Sequence, residues 1–246
     1  MKFALTYMAL KWWERNEGRP AIIYGPQRKG KSSYAIQVIL DMLQATGNTW
    51  NYRDLVVYHP SQFLQKLSEL TDKGERAPAL LWDDAGVWLF ALDWNTTFVK
   101  AVAKVLQVSA TAVCLLLFTT PTPSMIIKRV RDIEGILFAK IVQPSSHMPT
   151  VRRARIYRLT ANPLGFRTAK LIAEDHYNVM LPDDIYNWYF PLRQGYLREA
   201  TRLAFSKLEE LLGPEAQAAH QAAPPEEIIN KLIIMADRQA KKTPEK

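Results

Sequence analysis

The chain has 246 residues, 48% of them hydrophobic, a single cysteine and a net charge of +8. That length and apolar content support a sizeable core with room for an appendage. No run of 18 apolar residues predicts a transmembrane helix, and one cysteine excludes a disulfide framework. Residues 121–170 hold ten Lys and Arg against two acids, so the whole net charge falls in one fifth of the chain; such clustering suits nucleic acid or another polyanion, with a solvated basic face as the alternative.

The first eighteen residues contain an apolar stretch that lacks a small-residue cleavage site and runs into Trp12, Trp13 and Glu14, which predicts an amphipathic N-terminal helix rather than a signal peptide. PAIIYG, residues 20–25, reads as a short buried strand. Residues 31–47 read as a helix: Ala35, Val38, Ile39, Met42 and Leu43 recur at helical spacing, and Gly47 suits its C-terminal cap. Further strands at 54–60, 77–86, 112–121 and 136–144 alternate with helices at 61–74, 95–110 (capped by Asn95 or Thr96) and 123–135. Strands rich in Val, Ile and Leu with no polar alternation are buried on both faces. The expected class is therefore α/β, a three-layer sandwich with a mainly parallel sheet.

After residue 150 the pattern changes. Two strands joined by a turn, within 151–175, predict an antiparallel hairpin extending the sheet. Residues 181–246 read as helical, with Pro182, Asp183 and Asp184 in the first turn and a kink or break at Pro191. A linker near 213–225 precedes a last helix with Ile229, Leu232, Ile233 and Ala236 on one face. The expected organisation is an N-terminal helix at 1–18, a core at 19–180 and a C-terminal helical region at 181–246.

GPQRKGKSS, residues 25–33, gathers Arg28, Lys29 and Lys31 between a strand and a helix. It matches the phosphate-binding loop G-x-x-x-x-G-K-[ST] through Gly25, Gly30, Lys31 and Ser32, in the strand-to-helix context the motif requires. The glycines free the backbone to approach an anion, and amide groups at a helix N-terminus favour negative charge. The expected nucleotide-binding stretch is Gly25, Pro26, Gln27, Arg28, Lys29, Gly30, Lys31, Ser32 and Ser33. Lys31 reaches the β- and γ-phosphates of ATP and Ser32 is a ligand of Mg2+. A chance match in a basic turn is the alternative.

ALLWDDAG supplies carboxylates at the C-terminal end of a buried strand, where ligands of open α/β sheets bind. Asp83 is the expected metal partner, and Asp84 the residue that orients or deprotonates attacking water. Thr119 or Thr120, at the tip of LLLFTTP, is a candidate contact for the γ-phosphate or water, with turn formation as the bland reading.

These motifs, in the order phosphate loop, strand, LLWDDAG and LLLFTTP over residues 20–144, resemble P-loop ATPases of the additional-strand class, AAA+ or RecA-like. In that class an extra strand stands between the loop strand and the acidic strand, and the second acid, normally Glu, is the base; Asp84 occupies that place here. The resemblance implies a ring of subunits and an arginine donated by a neighbour, with Arg131 preferred over Arg129 in KRVRD. LLWDDAGVWL, FTTPTPS and LPDDIYNWYFPLR are similar to ATPases of viruses and plasmids of thermophilic archaea.

Arg152, Arg153, Arg155, Arg158, Arg167 and Lys170 fall on the hairpin and are the expected DNA contacts. Alternation places Arg153 and Arg155 on one face and Arg152 and Arg158 on the other. Local acids are only Asp132 and Glu134, so phosphates are the natural partners. Trp12 and Trp13 are candidates to flank adenine, or to fill the core. Trp88, Phe90 and Trp94 are candidates for a nucleic-acid channel, or for packing. The histidines His59, His147, His176 and His220 have no metal-ligand spacing.

The expected function is an Mg-dependent ATPase acting on DNA, an oligomeric ring in replication or DNA handling of a mobile element, cytoplasmic and in the host cell if viral. A packaging or translocation motor, a small-molecule P-loop kinase and a nucleotide-binding assembly protein without turnover are the alternatives.

Overall fold

β1 (Arg19–Tyr24) is apolar and buried along its centre because it has a parallel neighbour on each edge, β4 (Val113–Thr120) and β5 (Leu137–Val142). With β2 (Val56–Val57), β3 (Ala77–Trp82), β6 (Val151–Ala161) and β7 (Arg167–Asn178), it forms a seven-stranded sheet in the order β2-β3-β4-β1-β5-β6-β7. The first five strands of that order are parallel, and β6 and β7 extend them antiparallel. The α/β class, the parallel sheet and the antiparallel extension are those expected. β4 lies between β1 and β3, so the loop strand and the acidic strand are one strand apart.

The computed structural model describes residues 1–93, 96–145, 147–161 and 167–212, with the side chains at 93, 161, 167 and 207–212 outside that description. Trp94, the Asn95 cap, the turn of the hairpin, His220, the expected linker and the terminal helix lie outside the described residues. The chain divides into two units, Met1–Leu181 and Pro182–Lys246.

Helices cover both faces of the first unit's sheet. α1 (Ala4–Glu14) and α2 (Lys31–Thr46) share one side, where Tyr34 of α2 meets Phe3 and Tyr177 edge-on or tilted at 5.5 and 5.0 Å. On the other side α3 (Pro60–Lys73) lays Phe63 flat on Trp82 of β3 at 4.5 Å. α4 (Thr97–Val108) starts from a Thr96 cap whose hydroxyl accepts from the Val99 amide. α2 ends on Gly47 at φ 64°, the left-handed cap its position predicted.

Three elements depart from expectation. The strand at 54–60 shrinks to two residues, because Asn51 caps a 3-10 turn over Tyr52–Leu55 that takes up its start. The helix at 123–135 breaks into a 3-10 turn and the single-turn α5 (Lys128–Arg131). Buried Ile126 and Ile127 are held extended there: Ile126 bridges Phe90, and the Ile127 amide donates to Leu89. Lastly, α6 (Asp183–Leu212), in the second unit, is continuous through Pro191, so of the expected kink or break there is no break.

Candidate functional site

The loop leaves β1 at Gly25 (φ 150°), whose amide donates to the Pro121 carbonyl. A Cβ at Gly25 would stand 2.9 Å from the Ile141 carbonyl oxygen, so β5 and the loop touch where no side chain fits. Gly30 (φ 88°) begins α2, and a Cβ there would meet Val179 Cγ1 at 2.4 Å. Arg28 also takes a left-handed conformation, at φ 57°. Pro26, Gln27 and Arg28 are exposed, while Lys31 and Ser32 are buried. Lys31 Nζ donates to the Gly25 and Pro26 carbonyls, both at 3.0 Å, which sets its ammonium inside the loop. Lys29 turns outward to Gln143 Oε1 at 3.0 Å. Ser33 is half-buried on the first turn of α2.

Asp83 follows β3 and is fully buried. The Ser32 hydroxyl donates to its Oδ1 at 2.7 Å, and the Thr119 hydroxyl donates to the same oxygen at 2.6 Å. Thr119 Oγ1 in turn accepts from the Asp84 amide at 2.7 Å. One hydroxyl on β4 therefore braces both acids. Asp84 is half-exposed and left-handed at φ 47°, a conformation Asp tolerates better than most residues and one that recurs at functional sites. Thr120 has another role: its hydroxyl donates to the Thr122 carbonyl, against Gly86.

The fold thus brings Gly25, Gly30, Lys31, Ser32, Asp83, Asp84 and Thr119 together at the C-terminal end of the parallel strands. Ser32 and Asp83 are hard oxygen donors in hydrogen-bond contact, and few protein ligands beside phosphate oxygens suit Mg2+. Among the described residues no cluster of three His, Cys, Asp or Glu side chains could hold a metal without such help.

Two residues that touch the loop stand outside every motif of the sequence. Tyr177 of β7 donates its hydroxyl to the Gly30 carbonyl at 3.0 Å, and Val179 abuts the same glycine. Behind them Asp175 accepts from the Tyr34 hydroxyl at 2.6 Å and from the Ala4 amide at 2.6 Å, capping α1. Asp41 accepts from the amides of Lys2 and Phe3. Asp175 and Tyr177 are both buried, two residues apart on one face of β7, which runs past the hairpin end expected at 175.

Trp12 and Trp13 lie elsewhere. The Arg19 guanidinium covers Trp12 at 5.4 Å and that of Arg76 covers Trp13 at 5.1 Å. They sit where β1 and β3 begin, at the end of the sheet away from the loop, about 20 Å of strand from it. Trp88 meets His59 edge-on at 4.6 Å, as a packed ring does. Arg131 donates Nε to the Ile126 carbonyl at 2.7 Å and is half-buried, whereas Arg129 is exposed.

The hairpin arginines divide. Arg152 is buried and donates Nη1 to the Pro149 and Val151 carbonyls, both at 2.7 Å. Arg153 and Arg155 pair with Glu174 at 3.1 and 2.9 Å. That acid sits just beyond the basic segment in sequence and opposite Arg155 in register. Arg155 first, then Arg153, holds the Glu174 carboxyl below its ordinary range by hydrogen bonding. Arg158 and Lys170 are exposed and directly opposite each other. Arg167 opens β7, its side chain outside the described residues.

No protein-family model matches the chain. Over 219 residues it is 25% identical to the uncharacterized protein B-251 of Sulfolobus spindle-shape virus 1, across 83% of each chain. Among solved structures it is similar to the N-terminal domain of the zonular occludens toxin from Neisseria meningitidis, with a TM-score of 0.40 and 11% identity over 70% of this chain and 98% of that one. It is also similar to a KaiC-like protein from Pyrococcus horikoshii, with a TM-score of 0.31 and 12% identity over 63% and 90%. No helix among the described residues is long and apolar enough to cross a membrane.

Proposed function

We propose that the chain is an Mg-dependent P-loop ATPase that acts on DNA as an oligomer, in replication or DNA handling of a virus or plasmid of thermophilic archaea. The observation that carries the reading is the contact of Ser32 with buried Asp83 beneath a loop that holds Lys31 inside it. Gly25 to Ser33 bind the triphosphate, and Lys31 neutralises its outer phosphates. Ser32 and Asp83 hold Mg2+, Asp83 through water. That ion, when bound, offsets charge on the transferring phosphoryl group. Asp84 orients the attacking water, and Thr119 positions both acids. Arg131, or Arg129, serves a neighbouring subunit's site. Arg153, Arg155, Arg158, Arg167 and Lys170 meet phosphates. The sequence likeness to a spindle-shaped virus protein supports the viral setting and, with it, the host cytoplasm.

The test is phosphate release from ATP with Mg2+, with and without DNA, for the parent and Lys31→Ala. Release by the parent that Lys31→Ala abolishes supports the reading. Nucleotide binding without release favours an assembly protein, the reading to which the shorter Asp84 lends weight. Transfer of phosphate to a metabolite in place of water makes the chain a kinase.

A further inference from the structure

Cross-strand partners share a face of the sheet. On the face opposite Tyr177, one row runs Ile22, Phe138, Tyr157 and Leu171 across β1, β5, β6 and β7, and the next runs Tyr24, Lys140, Arg155 and Glu174. Toward β3 this face is closed by Phe63 on Trp82. Toward β7 it is open: Tyr24, Tyr157 and Leu159 are half-exposed, and Leu171 is 47% exposed. A register shift between Ile156 and Tyr157 separates the charged row from the apolar one. Between this open face and the segment before β5 lies a cavity of about 390 Å³, within the range of small-ligand sites. Its walls include Tyr24, Phe138, Tyr157, Leu159, Arg131 and Asp132.

Three rings and a guanidinium around one slot make a surface for a flat π-system. Tyr24 and Tyr157 line the same slot, and burial first, then the Tyr157 phenol, pushes the Tyr24 hydroxyl up. Lys140, Arg153 and Arg155 rim this face and Arg131 lines it, against the acids Asp132 and Glu174, so cationic charge remains for an anionic backbone. A duplex keeps its bases stacked inside, and only an unpaired base can enter a side-chain pocket.

The geometry points to a binding site for single-stranded nucleic acid, in which an unpaired base enters the cavity between Tyr24 and Tyr157 while its flanking phosphates meet Lys140, Arg153 and Arg155. This rests on the nucleic-acid reading of the hairpin and names the form of its ligand. Tyr24 directly precedes Gly25, so an occupied cavity borders the start of the phosphate loop.

The experiment is fluorescence anisotropy with the full chain and three labelled probes of equal length: an oligothymidylate, the same backbone built of abasic units, and a duplex. Preference for oligothymidylate over the abasic strand by about tenfold is the expected result, as stacking one base gives. Tyr157→Ala should remove that preference, Tyr157→Phe should keep it, and neither should alter duplex binding. A deoxyuridine strand and a uridine strand, alike but for the 2′-hydroxyl, complete the set; whichever of these two binds tighter identifies the occupant as DNA or RNA. Equal binding of oligothymidylate and abasic strand overturns the base site while leaving the hairpin's phosphate contacts intact. Binding of none of the probes overturns both. A change of oligomeric state in Tyr157→Ala with strand binding unaltered makes the cavity a contact between copies of this chain and overturns the proposal.

Discussion

The Tyr177 hydroxyl donates to the Gly30 carbonyl at 3.0 Å, tying the last strand of the sheet to the glycine that begins α2. The same carbonyl accepts the first helical bond, from the Tyr34 amide. Burial pushes the Tyr177 hydroxyl well above its ordinary range, so it remains a neutral donor across working pH. Tyr177→Phe keeps the ring against Tyr34 and removes only this bond. The expected cost is about 0.5–1.5 kcal/mol of stability, together with weaker nucleotide binding, read by urea unfolding and by titration with ATP. Unchanged nucleotide affinity at reduced stability would limit the tie to a structural role.

Gly30, at the start of α2, is predicted to be less replaceable than Gly47, at its end. Gly30→Ala strains a φ of 88° and drives a Cβ into Val179. Gly47→Ala strains a similar conformation but meets nothing within 4 Å. The left-handed conformation alone costs about 1–2 kcal/mol for a side chain, so Gly30→Ala should unfold at lower urea than Gly47→Ala. An equal loss in the two would mean that Val179 yields freely.

Thr119 should behave as a positioning residue. Thr119→Val removes the donor to Asp83 and the acceptor for the Asp84 amide at nearly constant volume. ATP turnover should fall by more than ATP affinity, and Thr119→Ser should restore it. Asp84→Asn should bind nucleotide and fail to release phosphate. Parental kcat in both Thr119→Val and Asp84→Asn would assign the water to other residues.

Glu174 links the hairpin's stability to pH. Its carboxyl is held below the ordinary 4.5, so its folded form is stabilised above that value and loses the benefit as pH falls through the lower folded pKa. Glu174→Gln should melt below the parent at neutral pH, with the gap closing in acid below about 4.5. The same variant frees Arg153 and Arg155 and should bind DNA more tightly. Arg153→Ala with Arg155→Ala should lower the salt slope, by about 0.9 per lost phosphate contact on a duplex. An unchanged slope would place the DNA contacts elsewhere.

The glycine-flanked turn at 25–30, the strand before it, the helix after it and the acidic strand end were all legible in residue order, because each follows from local rules. Apolar runs mark buried strands, a period of 3.6 marks a helix, and Gly25 and Gly30 stand where a close backbone approach needs them. The pairing of Ser32 with Asp83 was also open to inference, since a parallel sheet sets both at the same strand ends. The length of the element at 123–135 was not: its composition favours a helix, and only contacts of Ile126 and Ile127 with the segment at Leu89–Phe90 hold it extended. The fate of the arginines was settled at still longer range. Residue order shows a basic run almost without acids, but the hairpin sets Glu174 opposite Arg155, and the register shift at Tyr157 decides which row each side chain joins. Strand register is a property of two segments at once, and a one-residue slip changes every partner along it. For the same reason Tyr177 reaches Gly30 only in the folded chain, where a sheet seven strands wide closes a separation of 147 residues to one hydrogen bond.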